Sequence, residues 1–288
     1  MVRTEPETSP DARHTGGPPG YAVRRIPPER RPVLDRLAGA SRRFQVHALT
    51  EFDVTEARAR LFDSELRVTW TGFVVASLAR AVAMHPEVNA RKAGSRILAF
   101  DRVDIGATVE REQAGAAVLD VAVVRDADRR SCATISELLS TAKHGPGEPP
   151  RQRGLARGLV RLPAPLRRTA LRMAATSPRV SATFGPAVGV TSLGMLSDAW
   201  AWAVPVAPLT VIATVGRVTQ RPEVRDDRIV ARWMLPLTLS FDHAVIDGAP
   251  AARFTETLRV LIESGAALRD DAAPQGDVVL HDETAAGP

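Results

Sequence analysis

The 288-residue sequence holds one cysteine and one tyrosine. With Cys132 alone, neither an intrachain disulfide nor a cysteine-rich metal site is available. Aromatic residues are 5% of the chain, too few to interleave with basic residues as nucleic-acid binders do. No apolar run approaches the roughly 20 residues that span a bilayer. Met1 to Tyr21 lacks the apolar stretch of a secretory leader. These absences point to a cytoplasmic protein with no membrane span, no metal and no nucleic-acid partner. Negative charge is also missing locally: no acidic residue lies between Glu148 and Asp198, where Arg151, Arg153, Arg157, Arg161, Arg167, Arg168, Arg172 and Arg179 fall. Such a stretch attracts anions.

What is present is the composition of a globular domain, 44% apolar and 25% charged, with a net charge of +5. Residues 1–21 and 269–288 read as polar, disordered tails. Between them one unit spans 22–268, with a basic helical insertion at about 149–182 that Pro163 and Pro165 interrupt. Thr71 to His85 carries Phe73, Val74, Leu78, Ala81 and Val82 at helical spacing. Arg96 to Phe100 and Val103 to Val109 read as short strands, and the apolar run Ala117 to Val124 as a central one. Ser131 can cap a helix over Cys132 to Lys143. Thr210 to Val218 and Ile229 to Phe241 predict long strands that turn near Arg225-Asp226-Asp227. Pro250 opens a helix with Phe254, Leu258, Leu261 and Ile262 buried, and Gly265 closes it. Strands mixed with helices predict an α/β sandwich, an α+β arrangement of a mixed sheet with packed helices.

At the junction of that last strand and helix stands Phe241-Asp242-His243-Ala244-Val245-Ile246-Asp247-Gly248-Ala249-Pro250, which contains His-x-x-x-Asp-Gly. A histidine there can be neutral near pH 7 and take a proton from a thiol or hydroxyl. Asp247 can orient the loop by a salt bridge or by hydrogen bonds. Alone, the pair reads more readily as a surface histidine and a helix N-cap.

The wider context changes that reading. The segment from Asp242 to Phe254 closely resembles the catalytic motif of the 2-oxo acid dehydrogenase acyltransferases, whose dihydrolipoamide acyltransferase domain shares the chloramphenicol acetyltransferase-like fold. Phe52-Asp53-Val54-Thr55, Pro86-Glu87-Val88-Asn89-Ala90, Val103-Asp104-Ile105-Gly106, the segment Arg125 to Ser131 and Val190-Thr191-Ser192-Leu193-Gly194-Met195 resemble family segments in the same order. The resemblance covers about residues 30 to 266. It implies that His243 is the general base. It implies that Asp247 is structural, paired with an arginine near the domain's start, a place Arg30 or Arg31 matches loosely. It implies that Thr191 donates its hydroxyl to the tetrahedral oxyanion, with coenzyme A or acyl-CoA as substrate. It also implies a site shared between chains of a homotrimer, or of a multiple of trimers.

The sequence departs from the family in two respects. At most about 30 residues precede the catalytic unit, too few for a lipoyl domain, so no lipoyl attachment site is expected in this chain. The basic stretch replaces the usual approach to Thr191; it reads as a solvated helical pair or as a docking surface for an acidic carrier protein, a separate lipoyl domain or CoA phosphates. Three functions follow. One is acyl transfer between a CoA or carrier thioester and a thiol, hydroxyl or amine. Another is a dihydrolipoamide acyltransferase core serving a lipoyl domain on another chain. The third is a non-catalytic trimeric scaffold. Among the remaining residues, Cys132 reads as core, His47 as structural or pocket-lining, and Trp200 and Trp202 as pocket-narrowing or packing residues.

Overall fold

The computed structural model describes residues 26, 30–41, 43–63, 67–113, 116–145, 163–183, 185–193 and 202–272. Within them lie helix α1 (Arg31–Ala40), strand β1 (Gln45–Asp53), α2 (Thr55–Asp63), α3 (Trp70–Met84) and the hairpin β2 (Ala90–Ala93) with β3 (Arg96–Ala99). Strands β4 (Ile105–Gln113) and β5 (Ala116–Val124), then α4 (Cys132–His144), α5 (Ala164–Thr176) and the single turn α6 (Pro178–Ser181) follow. The chain continues through β6 (Val188–Ser192), β7 (Val211–Val215), β8 (Thr219–Arg225), β9 (Arg228–Asp242), α7 (Gly248–Glu263) and α8 (Ala266–Ala272).

A seven-stranded sheet runs in the order β1-β9-β7-β6-β4-β5, with β8 paired to β9. Only β4 with β6 and β6 with β7 are parallel, so the sheet is mixed, as the sequence predicts. Leu235, Leu237, Leu239 and Phe241 alternate onto one face of β9 and are buried against Phe254, Leu258 and Ile262 of α7. Phe241 and Phe254 meet edge to face at 6.0 Å. Truncating Phe254 to alanine costs about 3–5 kcal/mol by the usual cavity penalty. That interface fixes the angle between β9 and α7, and hence the turn that carries His243.

Helix α3 is buried along most of its length because its apolar residues cover more than one face. Thr69 caps it by accepting the Gly72 N–H at 3.1 Å. A Cβ at Gly72 would stand 2.0 Å from Ser136 Oγ, so glycine is what lets α3 approach α4. Ser131 caps α4 as expected, accepting from Thr134 N at 3.1 Å. Cys132 is buried in the core beside Ala267, in line with a packing role.

Four expectations change. The strand Ala116–Val124 lies at the sheet's edge rather than its centre. The expected tail from residue 269 begins in helix: Gly265 adopts φ +60 and ends α7, and α8 packs Ala267 and Leu268 into the core and runs on to Ala272. The turn near Asp226-Asp227 falls where expected, but the strand expected over Thr210 to Val218 is the shorter β7, and it is β8 that the turn joins to β9. In the basic stretch, Arg167 is a buried partner of Asp35 rather than a solvated cation. Residues 1–21 and 149–162, Trp200 and 273–288 lie outside the described residues.

Candidate active site

His243 follows the last residue of β9 and precedes the first turn of α7. Its backbone N–H donates to Phe44 O at 2.7 Å. Its Nδ1 lies 3.1 Å from Ile246 O and 3.5 Å from Asp247 Oδ1. A carbonyl only accepts, so this contact places a proton on Nδ1, and in the neutral tautomer Nε2 is then the acceptor. The side chain is 46% exposed, so that lone pair is within reach of a substrate. This is the arrangement a general base needs: oriented and accessible.

Asp247 lies differently from what the resemblance implies. It occupies the N-cap position of α7 without accepting a cap hydrogen bond, and its side chain is 86% exposed. Among the described residues its ionic neighbour is His243, not Arg30 or Arg31. The arginine–aspartate pair of this site is instead Arg43 with Asp242, the residue before the histidine. Asp242 is buried, and its Oδ1 accepts Ala244 N–H at 3.1 Å. The signal for Asp242 was present in the motif; its partner is 199 residues away, where no local pattern points.

Thr191 sits in β6 opposite Thr214 of β7, which is opposite Thr238 of β9. Residues opposite one another share a face, so these three threonines form a row across the sheet. Ser192 points to the other face, as alternation requires. His243 lies five residues beyond Thr238 along β9. At ordinary strand dimensions, Thr191 and His243 of one chain are roughly 16 Å apart along the strands and about 10 Å across them. The fold therefore does not bring the two together within a single chain.

Three further residues complete the surroundings. His47 Nδ1 is 2.8 Å from Ser240 Oγ, a contact between paired strands β1 and β9. Arg91 donates to the carbonyls of Ser181, Gly185 and Pro186 and has no carboxylate partner among the described residues. Burial, together with the charge of nearby Arg43, pulls its guanidinium down to about 10. Trp202 is exposed, with Nε1 donating to Thr50 O at 3.2 Å.

The sequence profile of the 2-oxoacid dehydrogenases acyltransferase (catalytic domain) family matches residues 30–145 and 156–268. The lipoamide acyltransferase component of the branched-chain alpha-keto acid dehydrogenase complex of Pseudomonas aeruginosa is 26% identical over 279 residues, covering 89% of this chain and 56% of that protein. The dihydrolipoyllysine-residue acetyltransferase component of the acetoin cleaving system of Bacillus subtilis is 27% identical, covering 70% of this chain and 43% of its own. The chain thus spans about half the length of these relatives, or less. A solved dihydrolipoamide acetyltransferase of Azotobacter vinelandii superimposes with a TM-score of 0.62 at 23% identity, covering 86% of this chain and 94% of that one. A probable dihydrolipoamide acetyltransferase of Listeria monocytogenes gives 0.61 at 21% identity, covering 85% and 95%. Fold, motif and profile agree over nearly all the described residues, and this chain belongs to the 2-oxoacid dehydrogenase acyltransferase catalytic-domain family.

Proposed function

We propose that this chain moves an acyl group between coenzyme A and a thiol acceptor of the dihydrolipoyl class, with His243 as general base. The observation that carries the reading is the half-exposed imidazole whose Nδ1 faces Ile246 O, freeing Nε2 to accept a proton. Nε2 takes the proton of the attacking thiol. The resulting thiolate adds to the thioester carbonyl, and the carbonyl oxygen becomes an oxyanion. The oxyanion collapses, the C–S bond of the original thioester breaks, and the leaving thiolate takes the proton back from the imidazolium. The catalysed exchange needs no oxidant and consumes no water.

Thr191 is the proposed oxyanion donor, a contact worth about 3 kcal/mol in comparable sites. Because Thr191 and His243 of one chain are far apart, the donor comes from a neighbouring chain. A homotrimer, or a multiple of trimers, would supply it. The Azotobacter structure addresses the roles of a serine, a histidine and an asparagine in catalysis. Those three stand at the same separations along their chain as Thr191, His243 and Asp247 do here. This supports the assignment of all three positions and implies that the third needs no negative charge.

The acceptor arm would arrive on a separate lipoyl domain or an acidic carrier protein, in the cytoplasm. Arg172 and Arg179, both exposed, are the described arginines of the basic stretch available to such a partner. Free dihydrolipoamide and a series of acyl-CoA esters test the proposal. Thioester exchange well above the uncatalysed rate is the expected result. Transfer only to hydroxyl or amine acceptors would replace the acceptor class. No transfer to any acceptor would leave the chain a scaffold.

A further inference from the structure

We propose that Arg43 and Asp242 are positioning residues for His243: their ion pair, together with the Phe44 carbonyl, fixes the turn from which the imidazole projects. The inference rests on the reading of His243 as the base, and it assigns to this buried pair the role that the motif alone gives to Asp247.

The geometry is specific to the turn. Asp242 is 2% exposed, and its polar groups are engaged on all sides. Oδ2 accepts from Arg43 Nη1 at 2.5 Å, and Oδ1 accepts from Ala244 N at 3.1 Å. Its own N–H donates to Thr210 O at 2.8 Å. Its carbonyl accepts Val245 N and Ile246 N at 2.9 and 3.0 Å. The next residue, His243, donates its N–H to Phe44 O at 2.7 Å. Residues 43 and 44 therefore grip residues 242 and 243 in crossed fashion, one contact through side chains and one through backbone. This grip folds the chain so that Ile246 O reaches His243 Nδ1.

Electrostatics tie the pair to this place. Arg91, held by three carbonyls, repels Arg43 across the same region. Asp242 is the carboxylate that offsets Arg43 at short range. Without it, Arg43 faces Arg91 uncompensated, and Ala244 N loses its acceptor. Without Arg43, a buried carboxylate is left unpaired beside the catalytic turn. Either change lets Ile246 O drift from Nδ1 and loosens the direction of Nε2. Asp247, mostly exposed and making no cap bond, has no comparable hold.

The test uses the full chain carrying Arg43→Met, Asp242→Asn, both together, and Arg43→Lys. Each single change is expected to lower kcat roughly 10- to 100-fold, since small misplacements of a catalytic group cost that much. KM should stay within about two-fold, since neither side chain touches substrate, a split that general loss of structure would not give. The double variant should be no worse than the poorer single one, because both remove the same pair. Arg43→Lys should recover part of kcat, and it carries the test should Arg43→Met fail to fold. Singles with parental kcat, or penalties that simply add, overturn the proposal. Hydrogen exchange of peptides covering residues 242–247 gives a readout independent of activity. Exchange there should quicken at least tenfold in the variants while α3 stays protected, and unchanged exchange overturns the clamp. A parent with no acyl transfer at all overturns the function instead, and the exchange measurement still judges the clamp.

Discussion

The guanidinium of Arg167 lies against the carboxylate of Asp35, joining α5 to α1 through a pair that is buried on both sides. Arg168 adds a second, more exposed contact to the same carboxylate at 3.4 Å. Burial alone would raise the Asp35 carboxyl, but hydrogen bonding and attraction from Arg167, then Arg168, hold it below its ordinary value. A residue that reads as part of an anion-attracting stretch is thus a tether between two helices.

Arg167→Met should therefore destabilise the protein rather than alter substrate binding. Leaving a buried carboxylate without its main partner costs about 3–5 kcal/mol. A chemical denaturation midpoint reports it directly. Because the folded Asp35 pKa is depressed, the pair's contribution is present above the unfolded value near 3.9 and is lost as pH falls through the folded value. The gap in stability between parent and variant should narrow on acidification below about pH 4. A gap independent of pH would count against the pair.

The exposed Arg172 and Arg179 are the residues on which to test docking of an acidic partner. Changing both to glutamine should raise KM for a carrier-bound acyl group several-fold and flatten its dependence on salt, which screens such charges over about 8 Å at physiological ionic strength. Turnover at saturation should be nearly unchanged. Parental KM and salt dependence would mark α5 and α6 as a solvated face only.

Asp247→Asn should keep activity within about three-fold of the parent, since general acid–base penalties of 10²-fold or more accompany loss of a group that moves protons. The side chain is mostly exposed and touches His243 only at 3.5 Å. A loss as deep as that of His243→Ala, measured as kcat, would make Asp247 part of a proton relay.

Mixing His243→Ala chains with Thr191→Ala chains under subunit exchange should restore activity that neither possesses alone. One interface in a mixed oligomer then regains both groups. No recovery in an oligomer proven to be mixed would rule out the shared site.

The unit from β9 to α7 was legible in the sequence because its signals are local. Alternation of Leu235, Leu237, Leu239 and Phe241, helical spacing of Phe254, Leu258 and Ile262, and the stop at Gly265 each depend on residues a few positions apart. The place of β5 was not legible. A continuous apolar run suggests a strand covered on both faces, yet Val121 and Val123 are exposed on an edge strand. Helix α1 and strand β8 escaped for other reasons: α1 is a ten-residue helix with a proline in its first turn and no side-chain cap, and β8 has a single branched apolar residue, Val224, among polar ones. Helix α8 carries only Ala267 and Leu268 into the core, too little to stand out from a polar tail. The pairs Arg43–Asp242 and Arg167–Asp35 join distant segments, and charge pairing of that kind follows from the fold rather than from spacing.

Kinetics of His243→Ala test the central claim most directly, on an oligomer shown by light scattering to match the parent. Removing a general base commonly costs 10²- to 10⁴-fold. The account predicts a fall of kcat in that range for acyl exchange between CoA and dihydrolipoamide, with KM nearly constant. Exchange within a few-fold of the parent, on the same substrates, would contradict it.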